Sequence, residues 1–588
     1  MERWQLNVAL YPSRNMKKFR EHGEPRRTTK MHLLAELLTG FRNMPTSNTD
    51  HLAWRCVLKI FNATDPQDFI RNSVKNFAPN IRRAALLKLM SLQNFKLEID
   101  YETVTTNIMA PALALLLEVE SDLKVLDLTG IVSFSPADER FEHLEVAIIE
   151  VSERATNLLS LSILQEEFLR VAQEEILSRE YIEAFGKMEH LQVLRIEDFD
   201  IHLQDLMELC RKLRDLRFIS VNIYEEEFKI PTKGELQKSF QLLKAFFFQT
   251  NACMHKIFEF KNLCATQLPN LQVIKDFASD FCCQSEYQYA PHKKEGRNLR
   301  HLELNFQYEK PEEGLHELFP YVTHLMIEGP NSFSDDEFQI ESDNEWQIEP
   351  LLHFSEIESL KLSFVPPEIA LQLVTTYKMK LHSLYLGNSI CPKDFESTLD
   401  GIFNICPKLE RVGLVNIEGP AFQLNNLTLL KEVMLKYEAV FDILIAPNLE
   451  KVTLMGQVVN EDDLMRLTGL ISKKEALRKL ETLVVRMQCL SITEVEQPFF
   501  LALADFIKTA ARVLPTLSDL QLRVNHMCNY VILAESMKHG IFANDEIPSV
   551  EQFFTPGTDF GQFQWSPRVG FKEWIEGAFA DALLLPDQ

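Results

Sequence analysis

The sequence lacks any hydrophobic run long enough to cross a membrane. Its most apolar stretch, IMAPALALLLEV at residues 108–119, is shorter than the roughly 18 residues of a membrane span and contains Pro111. The first residues, MERWQLNVALYPSR, are apolar only briefly, hold Gln5 and Asn7, and lead into basic residues instead of a cleavage site. We therefore expect neither a membrane span nor a secretion signal.

Cysteine is sparse, and no two cysteines have the C-x-x-C spacing of a zinc site or a redox motif. Ten cysteines spread over 588 residues also do not resemble a disulfide framework. The group Cys253, His255 and Cys264 matches no standard metal spacing, so we expect these thiols to be buried in a core. This usage predicts a reducing compartment, the cytoplasm or the nucleus, and no metal.

Motifs that mark catalytic sites are also missing. The sequence has no G-x-x-x-x-G-K-[ST] loop, no G-x-G-x-x-G, no H-E-x-x-H and no G-x-S-x-G. It therefore offers no candidate catalytic residue and no cofactor site. We expect a protein that is not an enzyme.

Positive charge is in short supply. The chain carries 61 Lys and Arg against 85 Asp and Glu, a net charge of -24, which would repel the phosphates of a nucleic acid. Residues 1–30 reverse this balance with eight basic residues against three acidic ones. A basic tail lying against its own acidic body is the favoured interpretation. A two-part nuclear import signal at Lys17-Lys18 and Arg26-Arg27 is the alternative.

One spacing of leucines is abundant. In NLRHLELNF, residues 298–306, leucines stand at 299, 302 and 304, an L-x-x-L-x-L pattern with polar residues between them. The pattern recurs from Leu123, Leu158, Leu191, Leu213, Val322, Ile357, Leu381, Leu409, Leu430, Leu449, Leu480 and Leu517. Consecutive copies start 19 to 37 residues apart, which is the length of one strand and one helix.

Each copy predicts a short strand followed by a helix. The fourth and sixth positions of the pattern lie on one face of a strand, and the first position fills the turn before it. A strand with one apolar face cannot bury that face alone, so neighbouring copies must stack into a parallel sheet covered by helices. Between copies, residues 200–213 have a helical apolar stripe, and Asn460 with the acids after it favours a helix start.

This spacing resembles the leucine-rich repeat family in its irregular intracellular form. The resemblance implies an α/β solenoid, a horseshoe with a parallel β-sheet on its concave face and helices outside. The family's asparagine, three residues beyond the third leucine, is matched only at Asn525. We therefore expect irregular turns without an asparagine ladder.

One row of side chains is the candidate binding surface. The residue between the second and third apolar positions of each copy faces the concave side, where a stacked sheet would expose it as a continuous row. The partner-binding candidates in this row are Arg195, Arg217, Glu303, Met326, Lys361, Tyr385 and Met434. A nucleic-acid groove would be uniformly basic, whereas aromatic and Met side chains favour protein interfaces. We predict that a protein client binds there, and the alternative is a face that binds nothing.

The predicted organisation has four parts. They are a basic tail at 1–30, a helical N-terminal region at 31–92, irregular repeats at 93–545 and an aromatic C-terminal cap at 546–588. Residues 328–349 carry eight carboxylates and no basic residue, which predicts an exposed acidic loop. Between Leu213 and Leu299, only LPNLQVIKDF suggests a further copy.

The N-terminal region contains a second resemblance. Residues 51–86, HLAWRCVLKIFNATDPQDFIRNSVKNFAPNIRRAAL, resemble a degenerate F-box, the helical motif that docks substrate receptors onto a Skp-type adaptor of cullin ubiquitin ligases. Asp65 before Pro66 predicts a helix start. The residues that match the motif, and that would contact the adaptor, are Leu52, Leu58, Ile60, Phe61, Phe69, Ile70 and Val74. The alternative is a helical cap that shields the first repeat.

These patterns together predict a non-enzymatic protein-binding module. The favoured hypothesis is an F-box-like substrate receptor that links a client on the concave face to a cullin-type ubiquitin ligase. A leucine-rich repeat scaffold or inhibitor with no ligase link is the alternative. An extracellular receptor is disfavoured because no signal peptide is recognised and the cysteines form no evident pairs.

Overall fold

The computed structural model describes about three-fifths of the chain. The described residues are 53–91 (without 54, 55, 58, 61 and 62), 108–164 (without 121 and 135–138), 176–276 (without 225–227, 251 and 253), 287–288, 298–329 (without 307–308), 346–387, 395–417, 427–455 (without 440), 461–487, 502–524 (without 504, 507, 508, 511 and 518) and 552–556. The predicted basic tail, most of the acidic loop, most of the aromatic cap and the candidates Leu52, Leu58 and Phe61 lie outside these residues.

In the part of the N-terminal cap that the structure describes, the α-helices are α1 (Pro66–Asn72), α2 (Pro79–Met90) and α3 (Ala110–Val119). The Asp65 side chain accepts a hydrogen bond from the Asp68 backbone N–H at 2.9 Å. Pro66 takes the first helical position, where a backbone N–H would have no helical partner. The helix start predicted from Asp65 and Pro66 is confirmed.

The rest of the described chain consists of short strands joined by helices. The strands are β1 (Val125–Asp127), β2 (Ser160–Leu164), β3 (Val193–Ile201), β4 (Phe218–Ile223), β5 (Ala245–Thr250), β6 (Val273–Asp276), β7 (Tyr287–Gln288), β8 (His301–Asn305), β9 (Glu309–Lys310), β10 (His324–Glu328), β11 (Ser359–Ser363), β12 (Ser383–Gly387), β13 (Arg411–Ile417), β14 (Glu432–Ala439), β15 (Lys451–Met455), β16 (Thr482–Met487), β17 (Asp519–Val524) and β18 (Gln552–Pro556). The helices are α4 (Thr129–Phe134), α5 (Arg140–Arg154), α6 (Arg179–Gly186), α7 (Leu203–Lys212), α8 (Lys233–Ser239), α9 (Met254–Gln267), α10 (Leu315–Leu318), α11 (Pro367–Tyr377), α12 (Phe395–Ile405) and α13 (Glu461–Ser472).

The strands stack in chain order. One parallel sheet contains β1 to β6, a second contains β8 and β10 to β18, and β7 pairs with β9 separately. Strand order that follows sequence order, with every pair parallel, is what a repeating strand and helix unit produces. The predicted leucine-rich-repeat solenoid with a helical N-terminal cap is therefore confirmed.

The two sheets belong to one repeat array. In each unit, the carbonyl of the residue before the strand accepts hydrogen bonds from two consecutive N–H groups of the next unit. The first of these carbonyls belongs to Lys124 and the last to Glu450. At the boundary between the sheets, the Gln272 carbonyl accepts from Arg300 at 2.8 Å and from His301 at 3.2 Å. The same backbone link therefore joins β6 to β8 and makes the stacking continuous.

Asparagine side chains bridge neighbouring units at the entry to several strands, and we call these bridges the turn ladder. Asn270 Nδ2 donates to the Gln241 carbonyl at 2.8 Å, and Asn448 Nδ2 donates to the Thr428 carbonyl at 2.5 Å. Asn298 bridges to the preceding turn in the same way at 2.6 Å. Each of these asparagines comes directly before the first leucine of its copy. The turn ladder therefore stands where the chain enters the strands, whereas the family's ladder, which the sequence is expected to lack, would stand where the chain leaves them.

The strand side of the solenoid is the concave side. Neighbouring strands stand about 4.8 Å apart, whereas packed helices need 8–10 Å, so the helical side of each unit occupies the wider arc. The leucine-type positions of the strands and the apolar faces of the helices share one core cluster. In α7, Leu206 and Leu209 are buried in it, which confirms the helical stripe predicted for residues 200–213.

The N-terminal cap is fixed to the first repeat by close backbone contact at Gly130 in α4. A Cβ at this position would lie 2.6 Å from the carbonyl oxygens of Leu89 and Met90, at the end of α2. Real Cβ atoms do not approach backbone oxygens this closely, so only glycine allows the two helices to meet here.

The C-terminal segment extends the sheet as far as it is described. Residues 552–556, inside the predicted aromatic cap, form β18, which pairs in parallel with β17. Within the described ranges, no helix has both the length and the apolar composition to cross a bilayer.

Candidate protein-binding face

Six of the seven predicted partner-binding residues lie in one row of the sheet. They are Arg195, Glu303, Met326, Lys361, Tyr385 and Met434. From β8 to β14 they pair with one another across successive strands, with Gly413 between Tyr385 and Met434. We call the side of the sheet that carries this row, together with the positions two before and two after it on each strand, the inner face.

Arg217 is not part of the row. β4 begins at Phe218, and its row position is Ser220. The leucine pattern fits the sequence twice here, once from Leu213 and once three residues later. The copy counted from Leu213 is wrong because α7 ends at Leu213. The copy counted from Leu216 forms the strand.

Two further residues of the row come from strands in the segment between Leu213 and Leu299. Phe247 on β5 and Lys275 on β6 continue the row from Ser220. β6 lies in the LPNLQVIKDF copy, whereas β5 lies in LLKAFFFQT, where phenylalanines replace the second and third leucines. A pattern that accepts phenylalanine at these positions finds β5.

The row is buried along β10 to β16 except at Met434 on β14, which corrects the expectation of an exposed row. Lys361 exposes 3% of its surface and Tyr385 4%, and Met326, Thr453 and Val484 are also buried. Side chains at one position of neighbouring strands, about 4.8 Å apart, cover one another on the inner side of a curved sheet. Arg195, Glu303 and Met434 are partly accessible.

Tyr385 lies across the neighbouring strand at the centre of the row. A Cβ at Gly413 would stand 2.5 Å from Tyr385 Cδ2 and 3.4 Å from Met434 Cε, so the missing side chain makes room for the ring. Lys361 Nζ lies 4.9 Å from the Tyr385 ring centroid on the other side. A cation at this distance is attracted by the ring face.

Two lysines on the inner face are held in an environment that disfavours their charge. Burial lowers the pKa of Lys361 to about 7 and that of Lys436, on β14, to about 8. Glu328 opposes the effect on Lys361 by raising its pKa, and the charge of Lys436 lowers it further. Both lysines therefore cost stability when they are charged.

A largely buried carboxylate with two lysines lies at the junction of the two sheets. Lys261 Nζ in α9 is 3.1 Å from Glu303 Oε2, and Lys275 Nζ contacts Glu303 Oε1. The contact with Lys275 spans β6 and β8, so these charges reinforce the backbone link between the sheets. Removing the Glu303 carboxylate would take a negative charge away from the two largely buried lysine ammonium groups, which would destabilise the fold.

Two histidines stack on the inner face next to this junction. The rings of His301 on β8 and His324 on β10 lie 4.1 Å apart at an interplanar angle of 15°. Burial lowers the pKa of His324 to about 4, and Arg300 contributes to this lowering. Burial also holds the pKa of His301 well below its usual value, and the His324 imidazole and Arg300 lower it further. Both rings are therefore neutral at pH 7.

The described adaptor-binding candidates lie mostly inside the N-terminal cap. Ile60, Ile70 and Val74 are fully buried in the main core cluster, and Phe69 packs against it while keeping part of its surface accessible. A side chain enclosed by its own chain cannot meet a partner unless the cap rearranges. This placement favours the helical-cap alternative for this segment.

The described cysteines behave as core residues. Cys56, Cys210, Cys264 and Cys406 are free and buried, and burial raises the pKa of the Cys56 and Cys406 thiols to about 12. The expectation of a buried thiol is confirmed at Cys264. In the part of the chain that the structure describes, no group of three or more His, Cys, Asp or Glu side chains is arranged to hold a metal ion.

No protein-family model matches the sequence, and no curated protein matches it. Among solved structures, the chain is similar to the leucine-rich repeat-containing protein LegL7 from Legionella pneumophila, with 12% identity, a TM-score of 0.26, and coverage of 60% of this chain and 90% of that one. It is also similar to the Rad7 and Elc1 complex of yeast, with 13% identity, a TM-score of 0.27, and coverage of 81% and 97%. At these TM-scores neither similarity decides the fold or the function, and the solenoid follows from the strand order and register of this chain.

Proposed function

We propose that this chain is a non-enzymatic scaffold that holds a partner protein on its inner face. The observation that carries the proposal is the register, which runs one row of residues through parallel sheets of six and ten strands from Asp127 to Phe553. A long open wall suits a partner that makes many contacts along it, whereas a small molecule needs an enclosed pocket.

The composition of the row supports a protein partner. The partly accessible positions of the row include the charged residues Arg195 and Glu303 and the apolar Met434. Arg and Met side chains are enriched at protein interfaces, and Arg is frequent among the residues that carry most of the binding energy.

The test compares partner capture by the wild-type chain and two double variants. In the first, Arg195→Glu and Met434→Arg change two partly accessible inner-face residues. In the control, Arg478→Glu and Met465→Arg make the same chemical changes at exposed positions away from the inner face. We expect the inner-face variant to lose partners, quantified by mass spectrometry, that the control retains. Equal losses in the two variants, with circular dichroism unchanged, would refute a role for the inner face.

A link to a cullin-type ubiquitin ligase is the second candidate function. It is supported by α1, which starts at Asp65 and Pro66 as the F-box resemblance implies, and by Phe69, which keeps part of its side chain accessible. The burial of Ile60 and Ile70 supports the cap alternative instead.

Direct binding of a purified Skp-type adaptor to the full chain separates these two alternatives. If the link exists, Phe69→Asp weakens binding at least about tenfold, because it places a charge at an apolar contact. Arg71→Asp, on an exposed position of the same helix, is the control and should bind like wild type. No binding by the wild-type chain, or equal effects of the two substitutions, leaves the segment as a cap only.

A further inference from the structure

The residue directly before each strand belongs to a second row, which runs along the edge where the chain enters the sheets. Lys244 donates its backbone N–H to the Arg217 carbonyl at 2.7 Å, and Gln272 donates to the Lys244 carbonyl at 2.8 Å. Arg300 donates to the Gln272 carbonyl at 2.8 Å, and Thr323 donates to the Arg300 carbonyl at 2.9 Å. We call this row the entry row. These bonds hold its members in a fixed order, one strand apart.

Charge is divided unevenly along the entry row. Before the strands β1 to β6, β8 and β10, the row has four basic residues and no acidic one; its members there are Lys124, Leu159, Gln192, Arg217, Lys244, Gln272, Arg300 and Thr323. Before β11 to β16, four members are acidic and one is basic; they are Glu358, His382, Glu410, Lys431, Glu450 and Glu481. Positive charge is therefore concentrated at one end of the row, in a chain whose net charge is -24.

The later half of this edge supplies its own counter-charge. Lys380 Nζ lies 2.8 Å from Glu356 Oε1, and Lys431 Nζ lies 3.3 Å from Glu410 Oε2. Both pairs join the entry turns of neighbouring units. The charges of this half are therefore partly balanced within the chain.

The basic end has accessible arginines without such pairs. Arg217 and Arg300 keep part of their surface accessible, and Arg214, in the turn before β4, is exposed. In the same turns, His190 Nδ1 lies 3.4 Å from Asp215 Oδ2. Within the described residues, none of the three arginines lies within ion-pair distance of a carboxylate. Their positive charges are therefore available to a partner.

The spacing and the surroundings of these arginines suit a short peptide segment. Three intervals of the entry row, through Lys244, separate Arg217 from Arg300, which is about 14 Å at 4.8 Å per strand. An extended peptide covers this distance in about four residues. In the adjoining turns, Leu242 exposes 43% of its surface and Tyr321 exposes 54%. This end of the edge therefore offers cationic groups beside accessible apolar ones.

We propose that Arg217 and Arg300, with Leu242 and Tyr321 beside them, bind an acidic segment of a partner protein that also carries apolar side chains. We call these four residues the basic edge. The guanidinium group presents paired N–H donors that match the two oxygens of a carboxylate. A long nucleic acid would meet the surrounding net charge of -24, whereas a short segment engages only the local positive surface. The inference goes beyond the proposed function, because the basic edge lies outside the inner face.

The test uses the full chain and a fluorescein-labelled peptide of about eight residues in which glutamate and leucine alternate, longer than the basic edge requires. The comparison probes are the same peptide with glutamine in place of glutamate and a single-stranded oligonucleotide with as many negative charges. Binding is followed by fluorescence anisotropy at low salt and at about 150 mM salt. We expect the glutamate peptide to bind the wild type with an affinity that falls as salt rises, and the glutamine peptide to bind at least about tenfold more weakly.

A double variant and a matched control test the arginines. Arg217→Gln with Arg300→Gln should weaken binding of the glutamate peptide about tenfold. Arg478→Gln with Arg512→Gln removes the same charge from exposed positions outside the strands and should stay within about twofold of the wild type. Arg217→Lys with Arg300→Lys should have intermediate affinity, because lysine keeps the charge and loses the paired donors. Circular dichroism checks that every variant keeps the fold.

A second pair of substitutions tests the apolar part of the basic edge. Leu242→Gln should weaken binding about threefold, because it removes an apolar contact beside the arginines. Leu429→Gln, at the same position of the turn before β14, is the matched control, since Leu429 exposes 46% of its surface. It should bind like the wild type.

Several outcomes overturn the proposal. They are no binding of the glutamate peptide, equally tight binding of the glutamine peptide, and equal losses in a variant and its matched control. Equally tight, arginine-dependent binding of the oligonucleotide overturns it too, because the basic edge would then select any polyanion. None of these outcomes bears on the partner-capture test of the inner face, which changes other residues.

Discussion

Replacing His324 with phenylalanine removes a titratable group from the array and keeps a flat ring against His301. The wild-type rings stack at 4.1 Å, and burial lowers the pKa of His324 from 6.5 to about 4. Between these two pH values, the unfolded chain binds a proton that the folded chain does not. The free energy of unfolding should therefore have its full value above pH 6.5 and decrease as the pH drops towards 4.

The expected loss follows from the size of the shift. At 1.36 kcal/mol per pKa unit, the change from 6.5 to about 4 corresponds to about 3 kcal/mol for His324 alone. The slope reaches about 1.4 kcal/mol per pH unit where only the unfolded state is protonated. Burial also lowers the pKa of His301. In the wild type, His301 therefore adds to the dependence of the free energy of unfolding on pH.

Urea unfolding between pH 7 and pH 5 measures this slope, in a window above the usual range in which carboxylates titrate. His324→Phe should show a shallower dependence of the free energy of unfolding on pH than the wild type. Met465→Gln, at an exposed residue that does not titrate, should keep the wild-type slope. Identical slopes for wild type and His324→Phe would show that the buried imidazole does not control acid sensitivity.

Three further substitutions probe packing, the turn ladder and the inner face. Gly130→Ala should lower the free energy of unfolding by about 1–3 kcal/mol because its Cβ meets two backbone oxygens, whereas Gly234→Ala, with open space around it, should be neutral or slightly stabilising in the same thermal scans. Asn448→Ala should cost about 1 kcal/mol in urea unfolding through the lost bridge to the Thr428 carbonyl, and no change would deny the ladder a stabilising role. Lys361→Met should stabilise the fold at pH 7 by about 1–4 kcal/mol. This gain should shrink towards pH 10, because the lowered pKa of Lys361 makes the wild type more stable as the pH rises from 7 to 10.5. A gain that does not depend on pH would contradict a charge effect.

The strands could be predicted wherever leucine or another aliphatic residue occupies the repeated positions. β5 escaped this search because Phe246 and Phe248 fill the same core positions with rings. At β4, two overlapping copies both offer apolar residues, and only the end of α7 at Leu213 decides between them. The asparagines of the turns stood in the sequence before the first leucines, as at Asn270, but their partners are carbonyls in the previous unit, about 30 residues earlier.

The state of the inner face was harder to predict because it depends on neighbours that are far apart in the chain. Nothing near Lys361 in sequence shows that Met326 and Tyr385 will flank its row position, and the pattern alone predicts an exposed side chain there. Register brings these residues together and buries them.

The burial of charged groups on the inner face needs a reason. Apolar residues at Lys361 and Lys436 would fit beside their respective cross-strand neighbours Met326 and Val415 and would avoid the cost of desolvating an ammonium group. Residues that lower stability without improving packing are expected where a binding surface is built. Stability and partner capture should therefore respond in opposite directions to the replacement of these two lysines. A variant that gains stability while keeping every captured partner would separate the buried lysines from the proposed binding face.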